Sequence, residues 1–187
     1  VTEPQGGGPV IGKLAKDWEV SNNGTTITFH LNENVKFSSG NNMTADDVVY
    51  SYERLMNLKL GWSYLFDGWV KGIKKVDSNK VQFDLNEPYA PFMSSLVRFY
   101  IVDSKTLKAN EKDSDWGQDY LLANSAGTGA YAITAHDPNV ETRMAKNNNY
   151  FLGISDMAPN EVILKYNLDA PTVRTLISND EHDISSN

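Results

Sequence analysis

A mixed α/β (α+β) fold is predicted, on three observations. Residues 25–31 place Ile27, Phe29 and Leu31 on one face against Thr26, Thr28 and His30 on the other, a capped amphipathic helix begins at Thr44, and hairpin signals stand in both halves of the chain. Helices are interposed at irregular intervals, which argues against a doubly wound parallel sheet, where strands and helices take turns. Two layers are expected, joined near a charged segment at 103–115. At 187 residues the chain is long enough to bury a substantial core.

Each element has its own local reason. The opening Pro4-Gln5-Gly6-Gly7-Gly8-Pro9 reads as a loop; no Lys-Ser/Thr pair follows it, so it is not a phosphate cradle. Trp18 and Val20 mark a first strand and Asn22-Asn23-Gly24 a turn. The next strand places Ile27, Phe29 and Leu31 on one face and Thr26, Thr28 and His30 on the other. Val35-Lys36-Phe37 predicts a short third strand, ended by Ser38-Ser39-Gly40. Thr44-Ala45-Asp46-Asp47 is an N-cap with a carboxylate three residues on, where helix-dipole charge favours an anion. Val48, Tyr52, Leu55 and Met56 then share one helical face to about Asn57.

The aromatic stretch Trp62, Tyr64, Phe66 and Trp69 follows, with Phe66 and Trp69 assigned to the core and Trp62 and Tyr64 left open. Residues 70–76 and 80–85 form a hairpin across Asp77-Ser78-Asn79. Pro88 and Pro91 bracket a break before a short apolar helix at 92–97 and a strand at 99–102. The 103–115 segment reads as a surface helix with a connection. A second hairpin joins 130–136 to 140–146 across Asp137-Pro138-Asn139, 162–166 is a further strand, and 170–177 is a helix with Pro171 in its first turn. The chain opens at Val1 without an initiator Met and stops at Asn187 just past a strand-like fragment, so a segment of a longer protein is expected.

Composition excludes several chemistries. With 24 acidic against 17 basic side chains and a net charge of −7, nucleic acid is not an expected partner. No cysteine is present, which removes disulfides, thiolate metal sites and cysteine nucleophiles. No apolar run approaches the roughly 18 residues that cross a bilayer. His30, His136 and His182 lack metal-ligand spacing, no Gly-x-Ser-x-Gly elbow exists, and Asp180, Glu181 and Asp183 fall in a polar loop. Neither metal nor cofactor is expected. Asn23-Gly24-Thr25 and Asn42-Met43-Thr44 match the glycosylation sequon but serve as a turn and a cap.

The order of motifs carries further. Leu14-Ala15-Lys16-Asp17-Trp18-Glu19-Val20, then Thr28-Phe29-His30-Leu31, Asn34-Val35-Lys36-Phe37, Thr44-Ala45-Asp46-Asp47-Val48, Val81-Gln82-Phe83-Asp84-Leu85 with Glu87-Pro88, Gly127-Thr128-Gly129-Ala130-Tyr131, 147–151 and Glu181-His182-Asp183-Ile184 follow one another along nearly the whole chain. This succession resembles the extracytoplasmic solute-binding proteins of peptide-type ABC importers, the dipeptide/oligopeptide-binding family. Ala130 and Asn148 stand where that family usually has Pro, and Phe151 where it usually has Trp.

The resemblance implies part of the first lobe of a type II periplasmic-binding-protein-like fold, with mixed sheets, hairpins and peripheral helices. Residues 1–101 would be the smaller sub-domain and 102–187 a portion of the main ligand-binding lobe. The second lobe would be absent, leaving a fragment not expected to bind alone. It implies a receptor, not an enzyme, that captures a peptide or related small solute and passes it to ABC permease subunits. A monomer is expected, in the periplasm or as a cell-surface lipoprotein. Trp62 and Tyr64 are the binding candidates by position, with Thr128 facing the expected lobe boundary as a third. Two other readings stand beside it: a carboxylate-dependent hydrolase, which fully exposed aspartates at 46, 47, 180 and 183 would sink, and a surface interaction module.

Overall fold

The computed structural model describes residues 1–184, so 185–187 of the expected strand-like end lie outside the described residues. Two sheets form, one ordered β1-β2-β4-β3 and one β5-β6-β7, with every pair antiparallel.

In the first sheet, β1 (Ala15–Ser21) and β2 (Thr26–Leu31) pair with Trp18 opposite Phe29. The reversal between them puts Asn22, Asn23 and Gly24 at φ 50°, 53° and 88°, a left-handed path that Asn and Gly tolerate best. β3 (Val70–Asp77) and β4 (Lys80–Leu85) form the second hairpin, and β4 inserts between β2 and β3. Ile27, Phe29 and Leu31 from β2 meet Val81, Phe83 and Leu85 from β4 in one core, as the alternation predicts.

Helix α1 (Ala45–Leu58) lies across β3 and β4 and turns Val48 and Tyr52 into that core. Tyr52 meets Phe83 edge-on at 5.8 Å between ring centroids, a favoured aromatic geometry. The strand expected at 35–37 does not form. Phe37 donates to the Asn41 carbonyl and Met43 to that of Val35, so the segment closes on its own loop and Lys36 makes one isolated bridge to Asn42. Val35 and Phe37 are fully buried all the same, as plugs instead of sheet members.

α2 (Phe92–Ser95) continues into a 3-10 turn at Leu96–Arg98. The strand expected at 99–102 is also unpaired: the Val102 N–H goes to the Ser51 hydroxyl on α1 and the Asp103 N–H to the Ala126 carbonyl, which occupies the groups a ladder would use. α3 (Ser104–Asn110) is the surface helix expected, with Lys105, Lys108, Ala109 and Asn110 exposed, and it turns the fully buried Leu107 onto Tyr50 and Ala126 in a second, small cluster. α4 (Gln118–Leu121), at four residues, is too short to show a period and was not expected.

The second sheet comprises β5 (Tyr131–Asp137), β6 (Glu141–Lys146) and β7 (Glu161–Lys165), followed by α5 (Ala170–Ser178). Asp169 caps α5 by accepting from the Thr172 N–H at 2.8 Å, with Pro171 in the first turn as expected. Among the described residues of these four elements, Thr142 and Val173 alone are buried. No helix among the described residues is long and apolar enough to cross a membrane.

Candidate functional site

Burial sorts the aromatic stretch. Phe66 is fully buried against Tyr52 and Phe99, and Trp69 is half-buried and stacked on Tyr89 at 4.1 Å. Anchored by Phe66, the 3-10 turn at Ser63–Leu65 sends Trp62 and Tyr64 outward, 41% and 62% exposed, with their rings 6.0 Å apart. Rigid, half-exposed aromatic faces are what a small-ligand site uses for contact area.

Trp62 forms one wall of a groove of about 330 Å³ between the C-terminal half of α1 and residues 98–102. The guanidinium carbon of Arg98 stands 5.1 Å from the Trp62 ring centroid, within cation–π range. Arg54, on α1, lines the opposite side and donates from Nε to the Trp116 carbonyl at 2.8 Å. Burial pulls its pKa down while Tyr50 and Asp115 push back up; a guanidinium stays protonated at neutral pH. Tyr100, 69% exposed, and Gln118 complete the polar rim.

Tyr64 and Thr128 do not line this groove. Thr128 sits half-buried in a loop whose flanks are held from three directions. Ser38 N–H donates to the Gly127 carbonyl, Asp103 N–H to that of Ala126, and the Asn147 side chain to that of Gly129, at 2.9, 2.9 and 2.7 Å. The asparagine at 147 is thus a bracket for the Gly-Thr-Gly loop.

Two buried carboxylates fix these elements. Asp103, fully buried, accepts from the hydroxyls of Ser39 and Thr106, the Asn41 amide and the Thr106 N–H, at 2.6 to 3.0 Å. Burial alone would push its carboxyl up, but the hydrogen bonds from Ser39, Thr106 and Asn41 outweigh it and hold the pKa below the ordinary value. Asp47 caps α1 as expected, one oxygen accepting from the Thr44 N–H and hydroxyl, and the other reaches Ser104 N–H and hydroxyl at the start of α3.

Of the aspartates whose full exposure would sink the hydrolase reading, Asp47 does not meet that condition: it is 5% exposed, with four donors on its two oxygens. Asp46 is exposed and pairs with Lys75 at 2.7 Å, and Asp180 and Asp183 are exposed. His30 pairs with Asp17, and His136 bonds the Thr142 hydroxyl at 2.7 Å. Among the described residues, no three His, Asp or Glu side chains converge on a point that could hold a metal.

Arg54 and Arg98 escaped the sequence reading. Arg54 is masked by its place on an amphipathic helix, and the partner of Arg98 lies 36 residues away in sequence. A cation inside the apolar run 92–102 was the one available signal.

Residues 9–187 match the family model described as bacterial extracellular solute-binding proteins, family 5 middle. The dipeptide-binding protein of Escherichia coli is 32% identical over 160 residues, covering 76% of this chain and 30% of that protein. Di/tripeptide-binding protein 2 of Pseudomonas aeruginosa is 29% identical over 187 residues, covering 90% and 35%. Among solved structures, the ABC transporter substrate-binding protein CtaP of Listeria monocytogenes superposes with a TM-score of 0.78 at 21% identity, over 96% of this chain and 36% of that one. The chain thus spans about a third of the length of the relatives it matches.

Proposed function

The chain belongs to the bacterial extracellular solute-binding proteins, family 5, and from that premise we propose that it serves as the receptor of an ABC importer. It captures a peptide or related small solute outside the cytoplasmic membrane, as a monomer, and delivers it to the permease. The family match over 9–187 carries this reading. Similarity to the dipeptide-binding protein of E. coli and to di/tripeptide-binding protein 2 of P. aeruginosa favours peptides among the solutes.

Within that role, residues 1–101 are the smaller sub-domain and 102–187 a portion of the main lobe. Trp62 and Tyr64 offer aromatic contact area to the solute, and Thr128 offers a hydroxyl from its bracketed loop. The role includes no catalysis. Asp47 and Asp103 spend their lone pairs on helix starts and loop donors, which supports structure in place of general acid or base work.

A thermal-shift panel on the full-length protein tests the role, with di- and oligopeptides, a nickel–histidine chelate and an oligosaccharide as probes. A rise in melting temperature with at least one probe is expected, since a ligand that binds the folded state alone stabilises it. Silence across all of them would overturn the receptor reading.

A further inference from the structure

Two departures from relaxed structure meet where the chain leaves α3. Residues 111–117 lie back against α1 as a strap, with Asp113, Ser114, Trp116 and Gly117 in the left-handed region at φ 50°, 60°, 57° and 69°. Gly117 adopts that backbone freely, whereas a bulky tryptophan does so only when its surroundings hold it there. Two contacts with α1 hold Trp116. Its ring packs on Tyr50 at 5.5 Å between centroids, and its carbonyl accepts from Arg54 Nε at 2.8 Å. Its N–H stays within the strap, donating to the Glu111 carboxylate at 3.3 Å. The second departure lies against that ring. Tyr50 is 4% exposed, yet its hydroxyl has no hydrogen-bond partner, the one buried side-chain polar atom so stranded among the described residues. Burying a hydroxyl unpaired costs free energy that exposure to water returns.

These terms oppose one another at a single contact. Lifting the strap relaxes the Trp116 backbone and hydrates the Tyr50 hydroxyl, but it breaks the Arg54 bond and uncovers the Trp116 ring and Leu107. Each term is the size of one hydrogen bond or one aromatic contact, so neither position wins by a wide margin. We propose that residues 111–117 form a two-position latch on α1, closed in this structure and bolted by Arg54. Arg54 and Gln118 also line the groove beside Trp62, so opening the latch withdraws part of the groove wall. The latch rests on the strap's own geometry and needs no solute.

Amide hydrogen exchange of the full-length protein, followed by mass spectrometry on peptides covering 111–119 and on β2 and β4, tests it. The strap is expected to exchange by local opening that low urea does not accelerate, while β2 and β4 exchange only on unfolding. The two variants should then move the strap in opposite directions. Arg54→Met removes the bolt and should speed exchange there about tenfold; Tyr50→Phe removes the stranded hydroxyl and should slow it about tenfold, each group being worth that much. Exchange in β2 and β4 should change only as far as the urea midpoint does. Arg54 is half-buried on a helix and methionine is a good helix former, so the first variant should fold; if its circular dichroism is altered, Arg54→Gln takes its place. Strap exchange that tracks global unfolding, or that ignores the loss of Arg54, overturns the latch. So does unchanged or faster exchange in Tyr50→Phe, which would show the hydroxyl to be satisfied by water in the closed position.

Discussion

The two sheets are both antiparallel and reach opposite ends of the burial scale. In β2 and β4 every second residue is buried, because α1 and the plug at Val35–Phe37 cover one face. In β5, β6 and β7 the apolar side chains stay half or fully exposed, Ile163 and Leu164 at 37% and 46% and Tyr166 beyond them at 37%. Alternation therefore reports that a strand has two unlike faces. Whether a face is worth several kcal/mol depends on what is laid over it.

Phe83→Ala should break the comparison's strong side. The ring is 2% exposed and stands within 6.3 Å, centroid to centroid, of Phe29, Tyr52, Phe92 and Phe99. Loss of about 3–5 kcal/mol is expected, read as a fall in the urea midpoint with an unchanged slope. A loss under about 1 kcal/mol would mean that the first sheet is no better packed than the second.

Asp103→Ala comes next, at about 2–3 kcal/mol, since it strips the acceptor from four donors at a fully buried position. The same carboxylate gives a pH signature. Its folded pKa lies below the ordinary 3.8, so its contribution is complete above that value and is lost as pH falls from there through the lower folded value. Asp103→Asn should flatten that part of the acid limb in urea titrations run from pH 5 downward; an unchanged limb would remove Asp103 as its source.

These cases show which parts were legible in the sequence. Elements set by neighbours in sequence were: both hairpins of the first sheet, the Thr44–Asp47 cap, the second hairpin pair and the α5 start marked by Pro171 all arise from local turn and cap chemistry. What failed was set by partners outside a ladder. Residues 35–37 and 99–102 have strand composition, yet the Phe37 N–H is claimed by Asn41 in its own loop and the Val102 N–H by Ser51 on α1. For the candidate site, Trp62 and Tyr64 could be seen as unassigned aromatics, but the pairing of Trp62 with Arg98 is a tertiary event with no local trace.

Ile163→Ala probes the weak side. At 37% exposure in β7, it should cost less than about 1 kcal/mol, against the several expected at Phe83. A cost like that of Phe83 would show the second sheet to be covered in solution.

The sharpest comparison uses one chemistry in both regions. Asp103 and Asp169 each cap a helix by accepting from the N–H three residues on, at 3.0 and 2.8 Å. Asp103 is sealed from water and also holds Ser39 and Asn41, whereas Asp169 is exposed and serves Thr172 alone. Removing the Asp169 side chain lets water replace the lost acceptor at the first turn, so the donor is never stranded. Asp169→Ala should thus leave the urea midpoint unmoved and show itself only as faster hydrogen exchange at the Thr172 amide. If instead the midpoint falls as it does for Asp103→Ala, then α5 belongs to the same cooperative unit as the first sheet, and the contrast between the two regions is one of exposure without a contrast in stability.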